Sequence, residues 1–369
     1  MIKRNVKSKN MWFLSVLVGL ICVGLGAVDE PIGVVASLDG GSIQLIDPVS
    51  MSISDNLLRH ELGSIGGGLL DVVLTSDAKT AIVSNFGESK IYFIDISGGF
   101  NAVPVLKGRG FLPIFAEDMS ITPDDKYVMV TDGGLSSRIV VIDMATHETI
   151  LVKNLGFRDA QSIDITADGK HVLVADYLAG RIHSYDFDSE NVTLTYRQSR
   201  STYQGLPVNT ASSPDGRTVL VMCNDSGGII PVFYIDSNGD LCDQGGLAVP
   251  NKNFQSAVFT RDGTRAYAIS NNANGTYAYE LNVLAPGQVT LGNVKQLPGP
   301  RGSGQYFGVD TLGLDPSGSY LFVSNPTSFG TKPYLTVLST ETLEPVYVME
   351  TFGTSSGIKF GTISHPEEE

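Results

Sequence analysis

Histidine, cysteine and tryptophan are scarce in this chain of 369 residues, at five, three and one, and only 17% of its side chains are charged. The histidines, His60, His147, His171, His183 and His365, include no H-E-x-x-H and no i, i+4 pair, so neither a zinc site nor a haem site has support. Three cysteines are too few for a disulfide scaffold. Sustained 3.6-residue apolar periodicity is also missing, which excludes a helical bundle or solenoid. A basic excess is absent as well. With 39 acids against 25 bases the net charge is -14, unsuited to nucleic acid over the surface as a whole.

What is present is a large apolar fraction, 42%, interrupted throughout by 41 Gly and 17 Pro, the composition of many short elements joined by tight turns. At the N-terminus Lys3, Arg4, Lys7 and Lys9 precede an uncharged run, Met11 to Ala27, that ends in small residues. This is the order of a secretory signal, and residues 1–27 are read as a signal peptide or, failing cleavage, an N-terminal anchor. The protein is therefore expected to be exported: periplasmic, cell-surface or secreted. Loss of the segment removes four cations and no acids, so the remaining chain carries -18.

Residues 28–369 are dominated by a repeat. The turns Thr75-Ser-Asp-Ala78, Thr122-Pro-Asp-Asp125, Thr166-Ala-Asp-Gly169, Ser213-Pro-Asp-Gly216, Thr260-Arg-Asp-Gly263 and Asp315-Pro-Ser-Gly318 start 47, 44, 47, 47 and 55 residues apart. Each is followed by an apolar run ending in Asn or Asp, such as Ile82–Asn85, Met129–Asp132 and Phe322–Asn325. A second run follows about ten residues later and usually ends in an acid, as at Asp95, Asp143, Asp186 and Asp236. Four short strands in about 45 residues is the arithmetic of a propeller blade. Ile32–Asp39 and Ser42–Asp47 supply the middle strands of a further unit without its innermost strand, and Gly357–Ser364 supplies that strand. The fold class is thus all-β: a seven-bladed β-propeller of four-stranded antiparallel blades, its ring closed by the two terminal segments sharing one blade.

These runs, each after a T/S-x-D-G-like turn and before a strand ending in Ile-Asp, resemble the YVTN repeat of exported propellers, to which the repeats of lactonase-type and haem d1-type propellers are related. The resemblance spans about residues 30 to 366. It implies fold more than function, because the matching positions are turn and loop residues. Glu280, where the third strand usually ends in Asp, departs from the pattern.

Function in such discs sits on the top face, where loops from several blades converge. The connections between blades are placed at roughly 53–70, 98–117, 152–161, 196–209, 243–255, 284–310 and 348–358, and 11 of the 21 cations outside the signal lie in or beside them, Arg158 and Arg301 among them. A cation-bearing top would suit an anionic ligand. Asp71, Asp118, Ser162, Asn209, Ser256 and Thr311 open the innermost strands, flanked by Glu117, Gln161, Gln255 and Asp310. Their ordinary role is to bond neighbouring loops and channel water; the alternative is a ligand site at the channel mouth made by Asp71, Glu117, Asp118, Gln161, Asn209, Gln255 and Asp310, with Arg158, Arg301 and Tyr306 from the loops. No cofactor is expected, although such oxygen donors would suit a hard divalent cation such as calcium. The partner is expected to be a protein, a glycan or a small anionic ligand, and the protein a monomer.

Other matches fail on context. Gly353-Thr-Ser355-Ser-Gly357 fits G-x-S-x-G, but lies between strands rather than on a strand-to-helix elbow. Asp236-Ser-Asn238-Gly-Asp240 starts like a calcium loop, but Leu241 and Leu247 replace its Gly and Glu, so an Asn-Gly hairpin turn explains it better. Cys223 and Cys242 are separated by a whole strand, roughly 20 Å at ~3.3 Å per residue, too far for a bridge. Two functions remain, with a cofactor-bearing redox propeller behind them. One is a non-enzymatic scaffold that binds through its top loops; the alternative is a lactonase-like hydrolase with its site at the top of the central channel.

Overall fold

The structure, a computed structural model, describes residues 29–38, 41–55, 58, 68–134, 137–203, 205–225, 227–250, 253–272, 275–297, 311–325 and 333–365. Residues 1–27, read above as a signal, and His60, Arg301, Tyr306 and Asp310 lie outside the described residues. Strands β1 (Asp29–Ser37), β2 (Ser42–Asp47) and β3 (Ser52–Ile53) begin the chain. Six blades follow whole. The second holds β4 (Leu69–Leu74), β5 (Thr80–Asn85), β6 (Lys90–Asp95) and β7 (Val105–Phe111), and the third β8 (Ala116–Ile121), β9 (Tyr127–Asp132), β10 (Arg138–Asp143) and β11 (Thr149–Asn154). In the fourth are β12 (Ala160–Ile165), β13 (His171–Asp176), β14 (Arg181–Asp188) and β15 (Thr193–Ser201), and in the fifth β16 (Leu206–Ser212), β17 (Thr218–Asn224), β18 (Ile229–Ile235) and β19 (Leu241–Ala248). The sixth contains β20 (Phe254–Phe259), β21 (Arg265–Asn272), β22 (Gly275–Ala285) and β23 (Gln288–Gln296). The seventh contains β24 (Leu312–Leu314), β25 (Tyr320–Asn325), β26 (Tyr334–Ser339) and β27 (Pro345–Glu350), and β28 (Ser355–Ser364) returns to pair with β1. The result is seven four-stranded antiparallel sheets and, among the described residues, no helix.

The repeated turn shows why this sequence makes blades. The hydroxyl of Thr75, Thr122, Thr166 or Thr260 donates to the Asp two residues on, at 2.6–2.7 Å. That same hydroxyl oxygen accepts the amide five residues on, at 3.0–3.1 Å. The fourth turn residue is left-handed in all six units, with φ from 53° at Ala78 to 72° at Gly318, which is why Gly recurs there. Apolar faces of neighbouring blades then pack together; the second and third blades, for example, bury Ile82, Phe93, Val128, Val130 and Val140 against one another. The predicted Asn-Gly hairpin is present between β18 and β19, with Gly239 at φ 84° and Asp236 accepting the amides of Asn238 and Asp240. Cys223 and Cys242 are free thiols, and burial pushes Cys223 up to about 12.

The innermost strands are joined by polar side chains at their first inward position. Asp71 accepts from the amides of Val72 at 2.7 Å and, in the next blade, Met119 at 3.0 Å. Asp118 repeats this with Met119 and Ile163, both at 2.9 Å. The Ser162 hydroxyl accepts from Thr210 at 3.0 Å, Asn209 makes a longer 3.4 Å contact with the amide of Ala257, and Ser356 donates to the Leu69 carbonyl at 2.7 Å. At Ser256 and Thr311 the clasp lapses, and both hydroxyls are buried without a partner among the described residues.

One expectation is corrected. The cations assigned to the top loops are mostly on strands: Lys107 and Arg109 on β7, Lys153 on β11, Arg197 and Arg200 on β15, Lys295 on β23 and Lys359 on β28. Of those among the described residues, Arg158 alone stands in a connection between strands. The outermost strands alternate exposed and half-buried residues, as β7 and β11 do. Their half-solvated pattern reads as loop in a sequence. Lys107 pairs with Asp95 at 3.0 Å, and Arg197 with Asp186 and Asp240, both at 2.9 Å, so these charges belong to the rim.

The clasp makes a prediction. Asp71→Ala strands two buried amide donors and is expected to destabilise the chain by about 2–4 kcal/mol, read as a lower denaturant midpoint, with Asp71→Asn losing less.

Candidate functional site at the top of the channel

At the top of the third blade the loop after β9 runs through Asp132, Gly133 and Gly134. Asp132 is buried and gripped by Arg138, whose Nε and Nη2 donate to it at 3.0 and 2.7 Å, and its other oxygen accepts the Gly134 amide at 3.0 Å. Glu117, just inside β8, lays its carboxyl over Gly133, where any Cβ would collide with Glu117 Oε2. At Gly134 a Cβ would crowd Asp132 Oδ1, at 2.9 Å, and would meet the edge of the Phe115 ring in ordinary contact, at 3.8 Å. The Gly-Gly pair is therefore the floor on which a carboxyl and an aromatic ring stand side by side.

The floor is tied to the fourth blade. Asp159, at φ 65°, donates its amide to the Gly134 carbonyl at 3.3 Å, and its carboxylate accepts from Gln161 Nε2 at 2.6 Å. Asp176 lies next to it, buried, accepting the Ala179 amide at 3.0 Å and meeting His183 Nε2 at 3.2 Å. The His183 ring stacks on Phe157 with centroids 4.3 Å apart. Its Nδ1 is buried without a partner among the described residues.

This crowding of acids decides the protonation state. Burial, followed by the charges of Asp159, Asp118 and Asp132, pushes Glu117 from its ordinary 4.5 up to about 8. Asp159 is also raised, by burial first and by Asp176, against the opposing bond from Gln161. A carboxyl that titrates near 8 can hold or release a proton at physiological pH, the property required of a general acid or base.

Below the cluster the inner strands enclose a cavity of about 430 Å³ whose wall includes Asp118, Ser120, Asp164, Asn209, Ser212 and Lys359. Asp118 belongs to both, so the Glu117 cluster sits at the upper end of the channel. The oxygens within the channel are engaged: Asp164 accepts the Ser212 amide at 2.6 Å, and Ser120 the Ile165 amide at 3.2 Å.

The structure brings Glu117 and Gln161 together with Asp118, and among the described residues gives Asp71, Asn209 and Gln255 other partners. Asp71, Asp118 and Asn209 are buried, with carboxylate or amide oxygens accepting backbone amides. Gln255 donates to Asn224 at 2.9 Å. Arg158 is exposed next to Asp159 and has no ion pair among the described residues. Sequence reasoning missed Asp159, Phe115 and the Gly133-Gly134 floor. The signal was available, because Phe115 and Glu117 precede Asp159 and Gln161 by 44 residues, the separation of the turns at Thr122 and Thr166. Among the described residues no three His, Cys, Asp or Glu side chains are grouped to hold a metal ion.

Residues 143–254 match the family described as Lactonase, 7-bladed beta-propeller. No curated protein shows a significant match to the chain. Among solved structures, a functionally unknown protein of Desulfotomaculum acetoxidans superposes with a TM-score of 0.75 at 19% identity, covering 91% of this chain and 99% of its own. The periplasmic gluconolactonase of Pseudomonas aeruginosa gives 0.71 at 14% identity, covering 91% and 100%. A candidate 6-phosphogluconolactonase of Bacteroides uniformis gives 0.71 at 12% identity, covering 90% and 100%. At these identities the likeness is one of fold, and the lactonase match supports a propeller of lactonase type.

The raised Glu117 predicts a pH dependence of stability. The folded chain keeps this proton up to about pH 8, whereas the unfolded chain releases it near 4.5, so stability falls as pH rises through that window. Glu117→Gln removes the effect. Its Tm relative to the wild type is expected to be higher at pH 8.5 than at pH 4.

Proposed function

We propose that the protein is a lactonase-like hydrolase whose site is the Glu117 cluster at the top of the channel. The observation that carries this reading is a carboxyl pushed to about 8 at the upper end of the central channel. The match of residues 143–254 to the lactonase propeller family supports it. The scaffold reading, in which the top loops merely bind a partner, has less in its favour, because it leaves Glu117 unexplained and the expected cation-bearing face is a set of rim strands.

In the proposed reaction ionised Glu117 takes a proton from water as its oxygen adds to the lactone carbonyl carbon. The ring C–O bond then breaks, and the departing alkoxide receives the proton from Glu117, so that the net change is addition of one water. Asp159, held by Gln161, keeps the Glu117 pKa high and is a positioning residue. Arg158, exposed beside it, is placed to meet the negative charge that develops on the carbonyl oxygen. Asp71, Asn209 and Gln255 have structural roles in this account, and Arg301, Tyr306 and Asp310 are left to the loop that contains them. No cofactor enters the proposed steps, and a divalent cation at the channel mouth is tested by adding EDTA. Export follows from the charged and apolar order of residues 1–27 and is consistent with the periplasmic gluconolactonase fold relative. We take the working unit to be a monomer.

The test is a panel of lactones with purified protein. Turnover is expected to rise with pH up to about 8, and Glu117→Gln to lower kcat by about 10²–10⁴-fold while the fold is kept. Absence of turnover on every lactone and ester would return the scaffold reading. In Asp159→Asn the rise in rate is expected at lower pH, because a neighbouring negative charge has been removed.

A further inference from the structure

Phe86, which follows β5 in the second blade, and Phe115, which precedes β8 in the third, bring their rings to a centroid distance of 5.6 Å and an angle of 37°. They remain 39% and 52% exposed. Two aromatic rings from different blades, touching each other and open to solvent, are an apolar surface awaiting contact. The Phe86 amide donates to the Gly68 carbonyl at 3.1 Å, and the edge of the Phe115 ring lies near Gly134. Gly134 is the residue next to Gly133, over which the Glu117 carboxyl stands. The aromatic pair therefore begins where the reactive carboxyl ends.

The charges around the pair are unfavourable to an anion. Asp118, Asp132 and Asp159 surround Glu117. Arg138 is committed to Asp132 at 2.7 Å and Lys90 to Glu88 at 2.8 Å, while Arg158 is exposed beside Asp159. A phosphorylated or carboxylated substrate would meet this acidic surround with Arg158 already assigned to the carbonyl oxygen.

We infer, building on the hydrolase reading above, that the substrate is an uncharged lactone bearing an apolar arm, alkyl, acyl or aryl, which lies on the Phe86–Phe115 pair while its ring carbonyl faces Glu117. The two phenylalanines are specificity residues: they anchor the arm and place the carbonyl.

The experiment compares kcat/KM for three γ-lactones: unsubstituted, carrying an octyl chain, and carrying a phosphate. The wild type is expected to prefer the octyl lactone. Phe86→Ala and Phe115→Ala are each expected to cut the octyl-over-unsubstituted ratio by about 5- to 30-fold, Phe115→Leu by less, and the distant exposed Leu284→Ala not to change it. Preference for the phosphorylated lactone, or a ratio indifferent to both phenylalanines, overturns the inference. Binding of the octyl lactone to Glu117→Gln, followed by saturation-transfer NMR, separates the two levels. Phenylalanine-dependent binding with no turnover by the wild type sinks the hydrolase reading and keeps the apolar platform, whereas binding that ignores both phenylalanines sinks the platform whatever the turnover.

Discussion

The structure depends on one contact made repeatedly: the first inward side chain of an innermost strand accepts the backbone amide of the next blade's innermost strand. A blade is a twisted sheet with an inner edge that would otherwise face the channel with amides unpaired. Asp71 to Met119, Asp118 to Ile163 and Ser162 to Thr210 cover those amides and set the distance from one blade to the next. Aspartate fits where two amides converge, because a carboxylate has acceptor capacity for both and each bond to it is charge-assisted.

The same contact prepares the chemistry. An acid buried as a clasp cannot move away from its neighbours, so Asp118 is both a strut between the third and fourth blades and one of the charges that raise Glu117. Asp132, fixed by Arg138, and Asp159, fixed through Gly134 and Gln161, complete the surround. Glu117 is the member whose carboxyl stands against Gly133, and burial among these acids keeps the proton on it. Ring closure has a comparable economy. Glu30 of β1 accepts the Phe100 amide in the second blade at 2.8 Å and meets His365 beyond β28 at 2.9 Å, so one side chain ties both chain ends to a neighbouring blade.

The blade repeat was legible because turns and buried strands obey local rules. Thr or Ser, Asp, and a left-handed fourth residue form a hairpin wherever they occur, and continuous apolar runs can only be sheet interior in a chain without helical period. The outermost strands were not legible. β7, β11, β15 and β23 are solvated along one edge, so they carry loop-like charge, and their cations looked like a functional face. The candidate site was half legible: Glu117 and Gln161 could be named from their register, and Phe115 and Asp159 share that register, but what distinguishes Asp159, Phe86 and Phe115 is their neighbour in another blade, which the register does not give.

By itself the sequence determined the number of blades, the shared blade that closes them and the turns on the lower face, because each depends on residues within one hairpin or on a spacing of about 45. Tertiary structure alone decided which acids are clasps and which one holds a proton. It also decided that two phenylalanines 29 residues apart share one surface. Protonation and contact depend on the distances between blades, and those distances are fixed only when the ring is closed.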